Sequence, residues 1–238
     1  MSSRQLYLVT GNAHKVQEFE RLLPGRALLS LRDHPLPSEP VEDGETFTAN
    51  SLIKSLAGLE HARSLGLSAL SLADDSGLEV DALGGAPGVK SARYAPGSDA
   101  DRVQALLTAL KTEPPEQRSA RFHCALSLSG LSPRDEEWLL QDEARAALLA
   151  SSSDSGLSLH RHRDAQGHEL LSLCALGSFE GSIALKPAGA GGFGYDPIFI
   201  PRGYERSVAE LSADEKDALS HRAVAWRRLQ PLLGFLDL

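Results

Sequence analysis

The chain has only two cysteines, Cys124 and Cys174, and neither belongs to a C-x-x-C pair, so the sequence offers no disulfide framework. A reduced protein of the cytoplasm is the expectation. Long apolar runs are missing too: Leu6 to Val9, behind Met1-Ser2-Ser3-Arg4-Gln5, is too short for a signal peptide or a membrane span. There is no long basic block, and the formal net charge is −8, which argues against sequence-independent attraction to nucleic acid. An anionic ligand therefore needs a locally positive pocket. The P-loop signature is also absent.

What is present is an ordinary globular composition, 42% hydrophobic and 24% charged, on 238 residues. That length allows one large domain or two small lobes without metal or disulfide staples. Periodicity and turn residues predict a strand at Leu6–Val9, a helix at Lys15–Leu23, a strand at Ala27–Leu31, a helix at Thr46–Leu65 stopped by Gly66, and a strand at Leu67–Ala73. A tight loop at Gly84–Gly88 and a helix at Asp99–Leu110, capped near Ser98, follow. Strands are expected at Arg121–Leu128 and Glu169–Leu185, and a helix at Ser212–Leu233. Residues 133–167 look like an insertion, with a helix over Glu136–Leu149 and a flexible connector at Ser151–Gly156. Strands alternating with helices give an α/β class, mixed α+β.

Four stretches carry chemistry. The run Leu70 to Ala73 ends in two adjacent carboxylates, Asp74 and Asp75, followed by Ser76. Neighbouring side chains on a strand face opposite ways, so one aspartate joins a site while the other supports it. At a strand's end a carboxylate is rigid yet open to water and suits a hard cation such as Mg2+. The same residues also suit a solvated turn. Thr10-Gly11-Asn12-Ala13-His14-Lys15 lies between a strand and a helix, where unpaired N–H groups and Lys15 attract phosphate; a plain capped turn is the other reading. Gly191-Gly192-Phe193-Gly194-Tyr195-Asp196-Pro197 surrounds two aromatics and a carboxylate with glycine. Phe193 is a candidate to stack on a base, unless the segment is a bulge with core aromatics. Lys216 and Ser220, four apart, share a helix face with His221 and Arg222 beside it. This cationic cluster also reads as a solvated face paired with Asp214, Glu215 and Asp217.

Taken together and in this order, TGNAHK at 10–15, ADDSGLEVDALGGAPGVKSARYAPG at 73–97, GGFGYDPIF at 191–199 and ELSADEKDALSHR at 210–222 resemble the inosine triphosphate pyrophosphatases. That family hydrolyses deaminated purine nucleoside triphosphates such as dITP, ITP and XTP to the monophosphate and pyrophosphate, cleansing the nucleotide pool. Weaker similarity at Glu42–Ser55 and RSARFHC at 118–124 extends the match over nearly all of the chain outside 133–167. The resemblance implies one domain over 1–238, an elongated two-lobed fold around a central mixed sheet, a nucleotide cleft between the lobes, and a homodimer. It further implies that Thr10 to Lys15 hold the triphosphate, that Glu42 and Asp75 bind Mg2+, and that Asp75 accepts a proton from the attacking water. Ser76, Phe193, Gly194, Tyr195, Asp196, Lys216, His221 and Arg222 match substrate contacts. On this reading Mg2+ stabilises the aspartate pair, with Asp74 completing the coordination or orienting Asp75.

Elementary chemistry agrees with those roles. A triphosphate carries about four negative charges, so attack by water needs a metal and lysines against the phosphoryl oxygens and a carboxylate to take the proton. Hypoxanthine and xanthine present a 6-oxo acceptor where adenine has a 6-amino donor, so donors on His221 and Arg222 disfavour adenine by roughly 1–3 kcal/mol per good match. Two features depart from the family. Ala49 stands in Phe47-Thr48-Ala49-Asn50-Ser51 where the family pattern has glutamate; if that glutamate helps coordinate metal, Glu45 or the insertion must compensate or metal is held more weakly. Lys90 stands where the family commonly has an aromatic or other residue, with no clear consequence. His160, His162 and His168 in the insertion, with Arg161 and Arg163, are read as an exposed elaboration rather than a site. Two other functions use the same pocket: a nucleotide-binding sensor without hydrolysis, motivated by Ala49, and a pyrophosphatase for modified pyrimidine triphosphates.

Overall fold

Leu6, Tyr7, Leu8 and Val9 are buried on both faces of their strand, as a strand paired in parallel on both sides requires. This strand, β1 (Gln5–Val9), lies between β2 (Leu28–Ser30) and β3 (Ala69–Val80) and runs parallel to both. The structure, a computed structural model, describes residues 4–25, 28–150, 156–164 and 166–233. Beyond β3 the sheet continues through β4 (Ser119–Leu131), β6 (Glu169–Ile183) and β5 (Leu157–Arg163), in the order β2-β1-β3-β4-β6-β5. The short β7 (Phe199–Pro201) also pairs with β6, and both β5 and β7 run antiparallel to it. The sheet is therefore mixed, as the α/β reading expects.

The helices start where polar caps allow them to. Asn12 caps α1 (Ala13–Leu22) by accepting the N–H groups of His14 and Lys15, and Thr46 caps α2 (Phe47–Ser64) through the N–H of Ala49. Ser98 with Asp101, and Ser132 with Asp135, form reciprocal capping boxes on α3 (Asp99–Ala109) and α4 (Pro133–Gln141). α5 (Glu143–Ala150), α6 (Ala213–Leu219) and α7 (His221–Leu229) complete the set.

The chain divides into two compact units. Unit 1 is Met1–Asp75, Ala125–Gly177 and Ala225–Leu238; unit 2 is Ser76–Cys124 and Ser178–Val224. The core of unit 1 includes Tyr7, Val9, Ala62 and Ala73, with Leu29, Leu31, Leu36 and Leu67 packed against them. Helix α2 meets the sheet through small residues. Ser51 Oγ is 2.6 Å from Ser127 Oγ, which lies 3.1 Å from Cys174 Sγ. One turn along, Ser55, Ser129 and Ser172 repeat the arrangement at 2.8 and 2.6 Å. A Cβ on Gly58 would stand 2.2 Å from Val9 Cγ2 and 2.5 Å from Ser71 Oγ, so this close approach requires glycine. The core of unit 2 gathers Leu78, Val80, Leu106, Leu110, Phe122, Phe179, Ile198 and Phe199.

Four expectations are corrected. β3 does not stop at Ala73 but runs on through Asp74, Asp75 and Ser76; both carboxylates find cationic partners there, so a turn into solvent is unnecessary. The helix predicted over Glu136–Leu149 is two helices, broken at Asp142, whose backbone is extended. The region 133–167 is more than an exposed elaboration, since β5 pairs with β6 over seven residues and carries His160, Arg161, His162 and Arg163 within the sheet. The C-terminal helix breaks at Ser220, whose ψ is 152°, because the Ser220 hydroxyl accepts the N–H of Ala223 and starts a new helix. Residue 27 and most of the expected connector, 151–155, lie outside the described residues.

Candidate active site

In unit 1, successive side chains of β3 point to opposite faces, and each aspartate draws a lysine from a different helix. Lys15, on the first turn of α1, ion-pairs with Asp74, whose side chain is wholly buried. Lys54, midway along α2, places its ammonium 2.8 Å from Asp75 Oδ1 and 3.0 Å from Glu42 Oε2. The two adjacent negative charges are thus held by two lysines, and the supporting aspartate has its own cation. Burial, with Asp74 beside it, raises the Asp75 pKa, against the opposing pull of Lys54 and Lys15. Burial on its own lowers the Lys54 ammonium, but attraction to Asp75, Glu42 and Asp74 outweighs it and the net shift is upward. Lys54 is therefore a fixed positive charge.

The loop 10–15 is partly self-satisfied. Thr10 Oγ1 accepts the Asn12 N–H at 3.2 Å, and Asn12 Oδ1 accepts from His14 and Lys15 at 2.9 and 3.3 Å. Glu42 comes from the loop ahead of α2, which packs against the helix start: the Gly44 N–H donates to Asn50 Oδ1 at 2.8 Å, and the Ala49 methyl faces Gly44. Asp75 Oδ2 is buried without a hydrogen-bond partner among the described residues. A carboxylate oxygen in that state asks for a cation or a water. Glu42 and Asp75 sharing one ammonium give a hard-oxygen pair; no group of three metal-holding His, Cys, Asp or Glu side chains gathers here or anywhere else among the described residues. These two carboxylates are the residues that could hold Mg2+, an ion characteristically bound by one or two carboxylates with phosphate and water completing its shell.

In unit 2, Asp196 organises the glycine loop. Its Oδ2 accepts the Phe193 N–H at 2.9 Å and the Lys216 ammonium at 2.7 Å, and that ammonium lies 4.7 Å from the Phe193 ring centroid. Gly192 has φ +72°, and a Cβ there would fall 2.1 Å from Asp196 Oδ2, so any side chain would break this arrangement. The Gly194 N–H donates to Asp99 Oδ2 at 2.7 Å. Tyr195 faces the core, with its hydroxyl donating to the Ser91 carbonyl at 3.0 Å and burial pushing its pKa up to about 12. Arg222, almost wholly buried, donates to Ser76 Oγ at 3.1 Å. The His221 ring stacks on Phe122 with centroids 5.0 Å apart and planes 13° apart.

The sequence model of the Ham1 family matches residues 6–232. This chain belongs to that family. It is 40% identical over 238 residues to a dITP/XTP pyrophosphatase of Symbiobacterium thermophilum, covering 100% of this chain and 99% of the relative. It is 36% identical over 234 residues to the dITP/XTP pyrophosphatase of Bacillus subtilis, covering 97% of each. Among solved structures, the Staphylococcus aureus Ham1 protein superposes with a TM-score of 0.70 at 30% identity, covering 97% of this chain and 98% of that one. A nucleoside-triphosphatase / dITP/XTP pyrophosphatase from Mycobacterium abscessus gives 0.62 at 38% identity, covering 97% and 100%. The family expected from the motifs is the one matched.

For this Ham1-family chain the motif residues fall into two sets. Lys15, Glu42, Asp74 and Asp75 form one charge network in unit 1. Phe193, Asp196 and Lys216 form another in unit 2, where Ser76 and Arg222 also meet. Sequence reasoning missed Lys54, Asp99 and Phe122. Lys54 left a trace: it is four residues beyond Asn50 on a helix otherwise without lysine, on the face that turns toward Glu42.

Proposed function

We propose that this chain is a Mg2+-dependent pyrophosphohydrolase that converts dITP, ITP and XTP to the monophosphate plus pyrophosphate. The observation that carries the reading is the single Lys54 ammonium joined to both Asp75 and Glu42, with an unpartnered oxygen on Asp75. The names of the relatives support the choice of substrate.

Asp75 takes a proton from water as the water oxygen attacks the innermost phosphorus; the bond from that phosphorus to the bridging oxygen breaks, and pyrophosphate leaves. Burial suits Asp75 to the task, because a carboxylate with a raised pKa is a stronger base. Lys54 holds the carboxylate in place, and Lys15, fixed by Asp74, adds positive charge beside the 10–15 loop. Held by Glu42 and Asp75, Mg2+ would supply charge neutralisation at the phosphoryl oxygens. In unit 2, Phe193 stacks on the base while His221 and Arg222 donate to its 6-oxo group, which adenine lacks. The Phe122 ring holds the imidazole plane for that contact.

A homodimer in the cytoplasm completes the proposal. Cys124 and Cys174 are buried thiols outside any disulfide, in keeping with a reducing setting, and no helix among the described residues is long and apolar enough to cross a membrane. A panel of dITP, ITP, XTP, dUTP, GTP and ATP with Mg2+ tests the function. Pyrophosphate release is expected from the first three; preferential release from dUTP would overturn the purine assignment, and binding without release would make the chain a sensor.

A further inference from the structure

We infer that Asp99 is a positioning residue for the nucleobase: it fixes the peptide that follows Phe193 and with it the direction of the Phe193 ring. The inference rests on the proposed reading of Phe193 as the base-stacking residue. Asp99 opens α3, where an acidic residue is ordinarily explained by the helix end. That explanation is redundant here. The cap is built without it, since the Ser98 N–H donates to Asp101 Oδ2 at 2.7 Å and the Asp101 N–H returns to Ser98 Oγ at 3.3 Å.

The Asp99 carboxylate instead reaches across the sequence to the Gly194 N–H, at 2.7 Å. Its other oxygen is gripped by Arg102, which also donates to the Gly97 carbonyl at 2.9 Å, so the acceptor is itself held. On the preceding side of Phe193, its own N–H is held by Asp196 at 2.9 Å. The two peptide planes that flank the Phe193 Cα are thus each fixed by a carboxylate, one from within the loop and one from α3. With both planes fixed, φ and ψ of Phe193 are set and the Cα–Cβ bond has one direction. Lys216 lies over one face of the ring. Asp99 therefore acts on the base and not on the phosphates.

The test compares wild type, Asp99→Ala and Asp99→Asn for ITP turnover, with inorganic tripolyphosphate, which has no base, as competitive inhibitor. Asp99→Ala is expected to raise KM for ITP about tenfold, from loss of ordered stacking, with kcat within about threefold of wild type. The inhibition constant of tripolyphosphate stays unchanged. Asn keeps an oxygen for the Gly194 N–H, so Asp99→Asn returns KM to within about threefold of wild type. An unchanged KM in Asp99→Ala, or a tripolyphosphate constant that rises in step with KM, overturns the inference. Should wild type bind ITP but release no pyrophosphate, the enzymatic reading fails separately, and the same comparison on ITP dissociation constants judges Asp99.

Discussion

As the proposed base, Asp75 would serve chemistry at the expense of stability. Its folded pKa is raised, chiefly by burial, above the ordinary value of about 3.9. A carboxyl with that sign opposes folding above its folded pKa, and the opposition disappears once pH falls below the unfolded value. Asp75→Asn is therefore expected to unfold at a higher temperature than wild type near pH 7.5 in the absence of Mg2+. The difference should shrink toward pH 3, as differential scanning calorimetry will show. The same variant should lose about 10²–10⁴-fold in kcat, the usual contribution of a general base. A less stable, fully active Asp75→Asn would contradict both statements. The sequence singled out Asp75 as the candidate reactive carboxylate, but not its setting. Two adjacent aspartates suit a cation site or a solvated turn, and the lysines that hold them could not be read because they lie far off in sequence, at positions 15 and 54. Lys54 was passed over for the same reason: only the fold brings it Glu42 from the 42–45 loop and Asp75 from β3.

At the scale of elements, helix starts were legible because caps are local chemistry: Thr46 and Ser98 announce α2 and α3. The break at Ser220 was hidden by an apolar period that runs on across it, so that α6 and α7 read as one helix. On the proposed reading the break has a functional use, since the new helix begins with His221 and Arg222. Ser220→Ala leaves the Ala223 N–H without its acceptor and should cost about 1 kcal/mol. It should also raise KM for dITP, with kcat little changed, in steady-state kinetics. The strand β5 was missed because its alternation is written in histidine and arginine after Leu157 and Leu159, a pattern that charge alone assigns to the surface. The seam between α2 and the sheet gives a stability prediction. Gly58→Ala gains up to about 1 kcal/mol of helix propensity, yet its methyl would clash with Val9 and Ser71, a cost of about 1–3 kcal/mol. The melting temperature should fall despite the better helix former, and a rise would show that α2 is free to move off the sheet.

At the scale of the molecule, composition pointed to a folded, acidic protein, and the alternation of elements pointed to its class. Periodicity does not determine strand order, so the mixed sheet β2-β1-β3-β4-β6-β5 was not readable from it. Nor was the division into two units, whose limits fall inside β3, β4, β6 and α7. The charge network of Lys15, Lys54, Glu42, Asp74 and Asp75 belongs to unit 1, and the glycine loop with Lys216, His221 and Arg222 belongs to unit 2.

The most direct measurement is hydrolysis of dITP by the purified chain with Mg2+ in ¹⁸O-labelled water, with the products resolved by mass spectrometry. Attack at the innermost phosphorus predicts labelled dIMP and unlabelled pyrophosphate, with turnover abolished by EDTA. Label in pyrophosphate, or release of orthophosphate, would contradict it.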